Sequence, residues 1–190
     1  MTTSGPTVCG TGTNYNDGGN VAWTAPALIE EDDGAITTSN LNNGQTSQML
    51  KATNFGFTIP EGASVTDVSF SYQRRSNSTN RTREHTVAML DAGGSAGTNK
   101  ADTSTYWATS DETRTLNGDG TYWGITLTPT LCNDADFGIE IKVSSSSGSS
   151  IACIDYVSCT VTYTETEGGG LLTSSVLVRG GILLHGILGR

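Results

Sequence analysis

The sequence predicts an all-β fold, an antiparallel sandwich or barrel, on three observations. Its composition is hostile to long helices: 24 of 190 residues are Gly, only 15% are charged, and Ser, Thr and Asn are abundant. These residues favour turns and strands over helix interiors. Several stretches alternate apolar and polar residues with period two, as a strand buried on one face does. Turn signals separate those stretches at short intervals, the spacing expected of a sandwich or barrel.

The alternating stretches come in order along the chain. Val68, Phe70 and Tyr72 share one face of a strand, with Asp67, Ser69, Ser71 and Gln73 opposite. His85, Val87 and Met89 alternate with Thr86, Ala88 and Leu90, a strand covered in part on both faces. Phe137, Ile139, Ile141 and Val143 alternate with Gly138, Glu140 and Lys142, a strand with one wet face. Cys153, Val157, Cys159, Val161 and Tyr163 continue the pattern in the last long strand. Turns are expected at Pro60-Glu61-Gly62, Asn77 to Asn80, Gly93-Gly94 and, most strongly, Asn117-Gly118-Asp119-Gly120. No amphipathic helix and no fixed-period repeat emerges.

These signals divide the chain in three. Residues 1–20 are rich in Gly, Thr and Asn and nearly free of aliphatic side chains, so they read as an N-terminal arm unable to offset its own ordering entropy. Residues 21–164 form the β-sandwich domain. Residues 165–190 read as a glycine-rich apolar C-terminal arm, in which Leu171, Leu172, Val176, Leu177, Val178, Ile182, Leu183, Leu184, Ile187 and Leu188 are the expected partner-binding residues. A membrane span needs about 20 apolar residues. Arg179 and His185 interrupt this run and Gly180-Gly181 weaken a helix, so the expectation is burial against protein, with no membrane partner. Extended, the arm reaches roughly 75 Å at about 3.3 Å per residue.

The formal net charge of −9 argues against a nucleic-acid partner, since phosphates would be repelled. Arg74, Arg75, Arg81 and Arg83 read as an exposed hairpin end rather than an anion or partner site. The four cysteines lack a C-x-x-C pair, and Cys153 and Cys159 would share a face about 20 Å apart, so reduced, partly buried thiols are expected, with a bridge from Cys132 left open. The N-terminus shows neither a basic start nor an apolar run, which points to assembly in a cytoplasm.

Catalytic signatures do not appear. His85 reads as a strand residue rather than a base, and neither a G-x-S-x-G elbow nor a P-loop nor H-E-x-x-H occurs. Glu30-Glu31-Asp32-Asp33 reads as a solvated loop rather than a calcium site. Asn14-Tyr15-Asn16-Asp17 and Asn133-Asp134-Ala135-Asp136 lack EF-hand spacing, so no metal or cofactor is assigned. Trp23, Trp107 and Trp123, with Tyr106 and Tyr122, read as core or strand-pair contacts rather than a sugar platform. Tyr106-Trp107 and Tyr122-Trp123 flank the Asn117-Gly118 turn as candidate cross-strand neighbours. The expectation is a protein that is not an enzyme.

A resemblance adds to this. The segment Trp23–Tyr163 carries Trp23-Thr24-Ala25-Pro26 and then Leu50-Lys51-Ala52-Thr53-Asn54-Phe55-Gly56-Phe57-Thr58-Ile59-Pro60-Glu61-Gly62-Ala63. Trp107, Tyr122-Trp123-Gly124, Leu127-Thr128-Pro129 and Asp136-Phe137-Gly138-Ile139 follow, and Ile154-Asp155-Tyr156-Val157 with Thr160-Val161-Thr162-Tyr163 close it. It resembles a family of β-sandwich domains of tailed-bacteriophage virion structural proteins. The resemblance implies a jelly-roll-like domain without catalytic residues, in a virion assembled in the host cytoplasm. The expected role is capsid decoration or cement, binding capsid or other virion proteins as a homo-oligomer such as a trimer. A tail, neck or fibre component is the alternative in the particle, and a carbohydrate-binding adhesin the alternative of another class.

Overall fold

The computed structural model describes residues 1–165. The C-terminal arm expected to bind a partner, with Leu171 through Leu188, lies outside the described residues. Ten strands form two antiparallel five-stranded sheets. They are β1 (Thr2–Val8), β2 (Thr11–Tyr15), β3 (Thr37–Leu41), β4 (Met49–Thr53), β5 (Ser64–Ser76), β6 (Thr82–Asp91), β7 (Gly94–Ser95), β8 (Glu112–Gly118), β9 (Gly138–Ser145) and β10 (Ser150–Thr164). A 3₁₀ turn (Pro26–Glu30) and two single-turn helices, α1 (Gly120–Trp123) and α2 (Pro129–Cys132), complete them.

The first sheet runs β1-β10-β5-β8, with β3 also on β10; the second runs β2-β4-β9-β6-β7. Setting β1 and β2 aside and lettering the other strands B to I in chain order gives B-I-D-G facing C-H-E-F. That is the double Greek key of a jelly roll, as expected. Strand β10 is the spine of the first sheet. One of its edges pairs with β5, and the other is shared end to end by β3 (at 150–154) and β1 (at 158–163).

Residues 1–20 depart from the expected arm. They add one strand to each sheet, β1 beside β10 and β2 beside β4. The crossing between sheets is made at Cys9, which is buried in the core. What holds this segment is main-chain pairing with strand edges that would otherwise stand open, so its lack of aliphatic side chains is no obstacle.

The expected inward parity of β5 and β9 holds, with Val68, Phe70, Tyr72, Phe137, Ile139, Ile141 and Val143 all fully buried, but the wet face expected of β9 is covered as well, Glu140 being 3% and Lys142 9% exposed. Around Phe70 the core is aromatic. Trp123 stands edge-on at 5.5 Å, and Phe55 and Phe137 each lie at 5.7 Å. In β10 the alternation changes phase. A register shift between Ile154 and Val157 puts Ala152 and Ile154 inward before it and Val157, Cys159 and Val161 inward after it. Cys153 and Cys159 therefore do not share a face, because a bulge inserts one residue and flips the side-chain parity. All four cysteines are free.

The turns at Pro60–Gly62, Asn77–Asn80 and Gly93-Gly94 are where the punctuation placed them, with Asn80 at φ 55° and Gly94 at φ 110°. Asn117-Gly118-Asp119-Gly120 is not a hairpin. β8 ends there and Asp119 caps α1 through Tyr122 N–H at 2.9 Å. Tyr106-Trp107 and Tyr122-Trp123 are consequently not cross-strand pairs. Trp107 carries the Arg74 guanidinium 5.3 Å above its ring, while Trp123 donates to the Val68 carbonyl at 3.0 Å.

The arginine cluster is also split. Arg74 follows Tyr72 on the inward face of β5 and is 6% exposed. Glu84 of β6 receives its guanidinium and the Tyr72 hydroxyl, and its other oxygen accepts from Asp102 N–H at 2.6 Å. Glu112 takes a second bond from Arg74 at 2.9 Å, and Arg114 lies 3.6 Å from Glu84. One end of the sandwich interior is thus an ion network and not hydrocarbon. The other arginines stay nearer the surface, Arg75 on Asp111 at 3.4 Å and Arg81 on the Ser149 carbonyl at 2.9 Å.

Candidate functional site

The outer face of the second sheet forms a groove of about 740 Å³. Its floor follows from strand parity. Side chains opposite to the buried Leu50, Ala52, Ile139 and Ile141 must point outward, and register places them in rows. Thr13, Lys51, Glu140 and Ala88 form one row across β2, β4, β9 and β6. Thr11, Thr53, Gly138 and Leu90 form the next. The β6–β7 turn, Asp91 to Ser95, walls one end. Gly138 keeps the floor flat: a Cβ there would overlap the Ala52 carbonyl oxygen.

Three side chains give the groove its chemistry. Tyr15 is an exposed aromatic ring (54%) at the rim, with the Lys51 ammonium 4.2 Å from its centre. Glu140 is 3% exposed at the floor and has no hydrogen-bond or ion-pair partner among the described residues. Lys142, expected on a wet face, is 9% exposed and bonds Asp17 at 2.6 Å. Burial pushes the Asp17 carboxyl up, but hydrogen bonds from Lys142 and Gly19 outweigh it and hold the group below its ordinary range. His85 lies beside this pair, and burial and then the Lys142 charge lower its pKa. A carboxylate acceptor, an ammonium donor, threonine hydroxyls and one aromatic face suit a ligand bearing many hydroxyl groups.

The other groups weighed from sequence are structural. Trp23, Trp107 and Trp123 are 3%, 1% and 0% exposed, so none of them is a sugar platform. Asn14 accepts from Trp23 N–H at 2.8 Å, and Asn133 holds both polar main-chain groups of Ile59, at 2.7 and 2.8 Å. Among the described residues no group of three or more His, Cys, Asp or Glu side chains is placed to hold a metal ion, and no helix is long and apolar enough to cross a membrane. The groove escaped the sequence reading because its residues are scattered over five strands; only Tyr15 among the Thr and Asn of β2 hinted at it.

No protein-family model and no curated protein matches the chain. Solved structures share its general form. A CBM4 structure aligns with a TM-score of 0.42 and 14% identity over 76% of this chain and 92% of its own. The N-terminal cellulose-binding domain of Cellulomonas fimi β-1,4-glucanase C aligns with a TM-score of 0.41 and 12% identity over 78% and 85%. The enzymatically active domain of tailspike protein 4 of bacteriophage CBA120 aligns with a TM-score of 0.39 and 11% identity, over 80% of this chain but 19% of its own.

Proposed function

We propose that the chain is a non-catalytic binding module that holds a neutral carbohydrate chain in the groove of its second sheet. The observation that carries this reading is Glu140, a carboxylate at the groove floor with no partner among the described residues, beside an exposed Tyr15 ring. The Glu140 carboxylate opens into the groove, where sugar hydroxyls can replace water as donors while the ring stacks on a sugar face. The surrounding charge favours a neutral ligand. Asp17, Asp91, Asp136 and Glu140 outnumber Lys51 along the lining. Catalysis is not part of the reading: of the other lining carboxylates, Asp17 is bonded to Lys142 and Asp91 accepts from Gly93 N–H at 2.8 Å, and Asp136 stands on the loop before β9. Titration with neutral oligosaccharides tests it. Tyr15→Ala and Glu140→Gln each lower affinity about tenfold or more, and unchanged affinity in both variants overturns the proposal.

A second reading rests on residues 168–190, where the sequence carries ten large aliphatics after three glycines. In that reading the chain is a virion structural protein, a capsid decoration or cement subunit that stabilises assembled shell by binding only the assembled state. A tail, neck or fibre position is the variant of it. Deletion of 168–190 then abolishes incorporation into particles, and full incorporation of the truncated chain refutes it. The two readings are compatible, since one uses the groove and the other the C-terminal segment.

A further inference from the structure

The outer edge of β8 is a regular strand edge with which nothing pairs among the described residues. Other edges are closed or interrupted. The 3₁₀ turn covers β2, its Glu30 accepting from Gly12 N–H at 2.8 Å, and Thr24 N–H bridges to the Thr38 carbonyl of β3 at 2.8 Å. β7 has two residues, and Pro6, without an N–H, breaks β1. β8 carries seven residues in unbroken register with β5. Its outward side chains, Thr113, Thr115 and Asn117, are exposed and uncharged, while Glu112 and Arg114 turn inward to Arg74 and Glu84. Neither proline, bulge nor outward charge guards this edge, and its free N–H and C=O groups are a template for a further strand.

We propose that this edge is the docking site of residues 171–178 of the same chain, added antiparallel to β8. The segment lies outside the described residues, and two things point to it: its sequence and the place where the described chain ends. Leu171, Leu172, Val176, Leu177 and Val178 stand among Thr and Ser, with neither charge nor Pro, between Gly168-Gly169-Gly170 and Arg179-Gly180-Gly181. Glycines thus delimit a β-favouring stretch of about the length of β8. β5 is antiparallel to both β10 and β8, so a chain that reverses after β10 runs antiparallel to β8. Val161 and Gly118 both face Val68, which puts the end of β10 at Thr164 just beyond the end of β8. Three strand spacings sideways and three residues back amount to about 18 Å, and the chain from Thr164 to Leu171 spans up to about 23 Å. The edge of β1 is nearer, but a returning segment would lie parallel to it, the weaker pairing, and meet Pro6. With Leu172, Val176 and Val178 toward the core, Thr173 and Ser175 continue the hydroxyl rows of Thr115 and Ser71 on the outer face. So short a tether holds the segment at an effective concentration in the millimolar range, which favours it over the same segment of another copy. Ile182 to Leu188 stay available to the partner of the second reading.

NMR-resolved amide exchange of the full chain, beside a chain truncated after Gly170, is the test. In the truncated chain the amides of residues 112–118 that face away from β5 exchange about tenfold or more faster. Amides of β6 and β9 keep their rates, which shows that the fold is retained. Val176→Pro, inside the segment, reproduces the loss of protection, and Ile187→Pro, beyond it, does not. Equal exchange of residues 112–118 in the full and truncated chains, or in Val176→Pro and the parent, overturns the proposal. Protection that fades on dilution, with a dimer or larger species in light scattering, also overturns it, because a second copy then fills the edge. Each readout is taken on the free chain, so its failure leaves the groove and particle readings standing.

Discussion

Glu84 is the sharpest point at which to perturb this fold. Its side chain is 0% exposed and faces Arg74, itself 7% exposed, together with the Tyr72 hydroxyl, Arg114 and the Asp102 N–H. Removing one partner of a buried ion pair costs about 3–5 kcal/mol, because the other charge is left without compensation. Glu112 is 36% exposed and retains its 2.9 Å bond to Arg74, which softens the loss. Glu84→Ala is therefore expected near about 3 kcal/mol, and Glu84→Gln, whose single amide oxygen still accepts from the Asp102 N–H, about 2 kcal/mol. For a domain of this size about 3 kcal/mol corresponds to about 6–12 °C in Tm. Urea denaturation of the parent, both variants and the Arg74→Met/Glu84→Leu pair measures it. The double variant should be less destabilised than the sum of its singles, since each removes the charge that strands the other. A Glu84→Ala loss below about 1 kcal/mol, with an unchanged denaturant slope, would show that the network contributes nothing net and refute the reasoning.

Three further outcomes follow from other parts of the molecule. Burial pushes the Cys9 and Cys132 thiols up to about 12 and those of Cys153 and Cys159 above their ordinary range; a thiol reagent at pH 8 should label none of the four until the protein unfolds, then all of them. The Asp155 pKa is raised, first by burial and then by Asp32, so the group contributes stability when protonated, below about pH 3.9, and loses that contribution as pH rises through its folded pKa. Asp155→Asn should gain stability over the parent near pH 7 and show no gain at pH 3, as denaturant midpoints will report. Deleting residues 1–8 uncovers the β10 edge from Ser158 to Tyr163, so the truncated chain should lose about 2 kcal/mol or more and self-associate through that edge, seen as oligomers by size-exclusion chromatography.

Much of the sandwich is legible in particular residues. The run Val68-x-Phe70-x-Tyr72 and the run Phe137-x-Ile139-x-Ile141-x-Val143 declare two central strands, because each buries one parity against the facing sheet. The same logic fails where stability comes from main chain and not side chain. Thr2–Val8 and Thr11–Tyr15 are held by the edges of β10 and β4, which composition does not reveal. It fails again at the β10 bulge, where one inserted residue reverses the inward set and turns Asp155 toward the acidic loop. Arg74 continues the inward parity of β5, yet a charge at a core position is intelligible only beside Glu84, ten residues away across the turn that passes from one sheet to the other. The groove was the least legible feature, since Tyr15, Lys51 and Glu140 meet only through register.

The shared edge of β10 also sets a clock. The strand that pairs with β1, β3 and β5 is the last of the described strands to be made, so the first sheet has no spine until residue 150 and beyond have been synthesised. At about 5–20 residues per second, β1 waits roughly 8–30 s for its partner, and the edge of β5 stays open for part of that time. The local hairpin β6–β7 has no such wait, but a sheet built on so distant a closure forms slowly. Birth order thus makes the nascent chain most vulnerable to strand exchange between neighbours on the same message just before β10 appears.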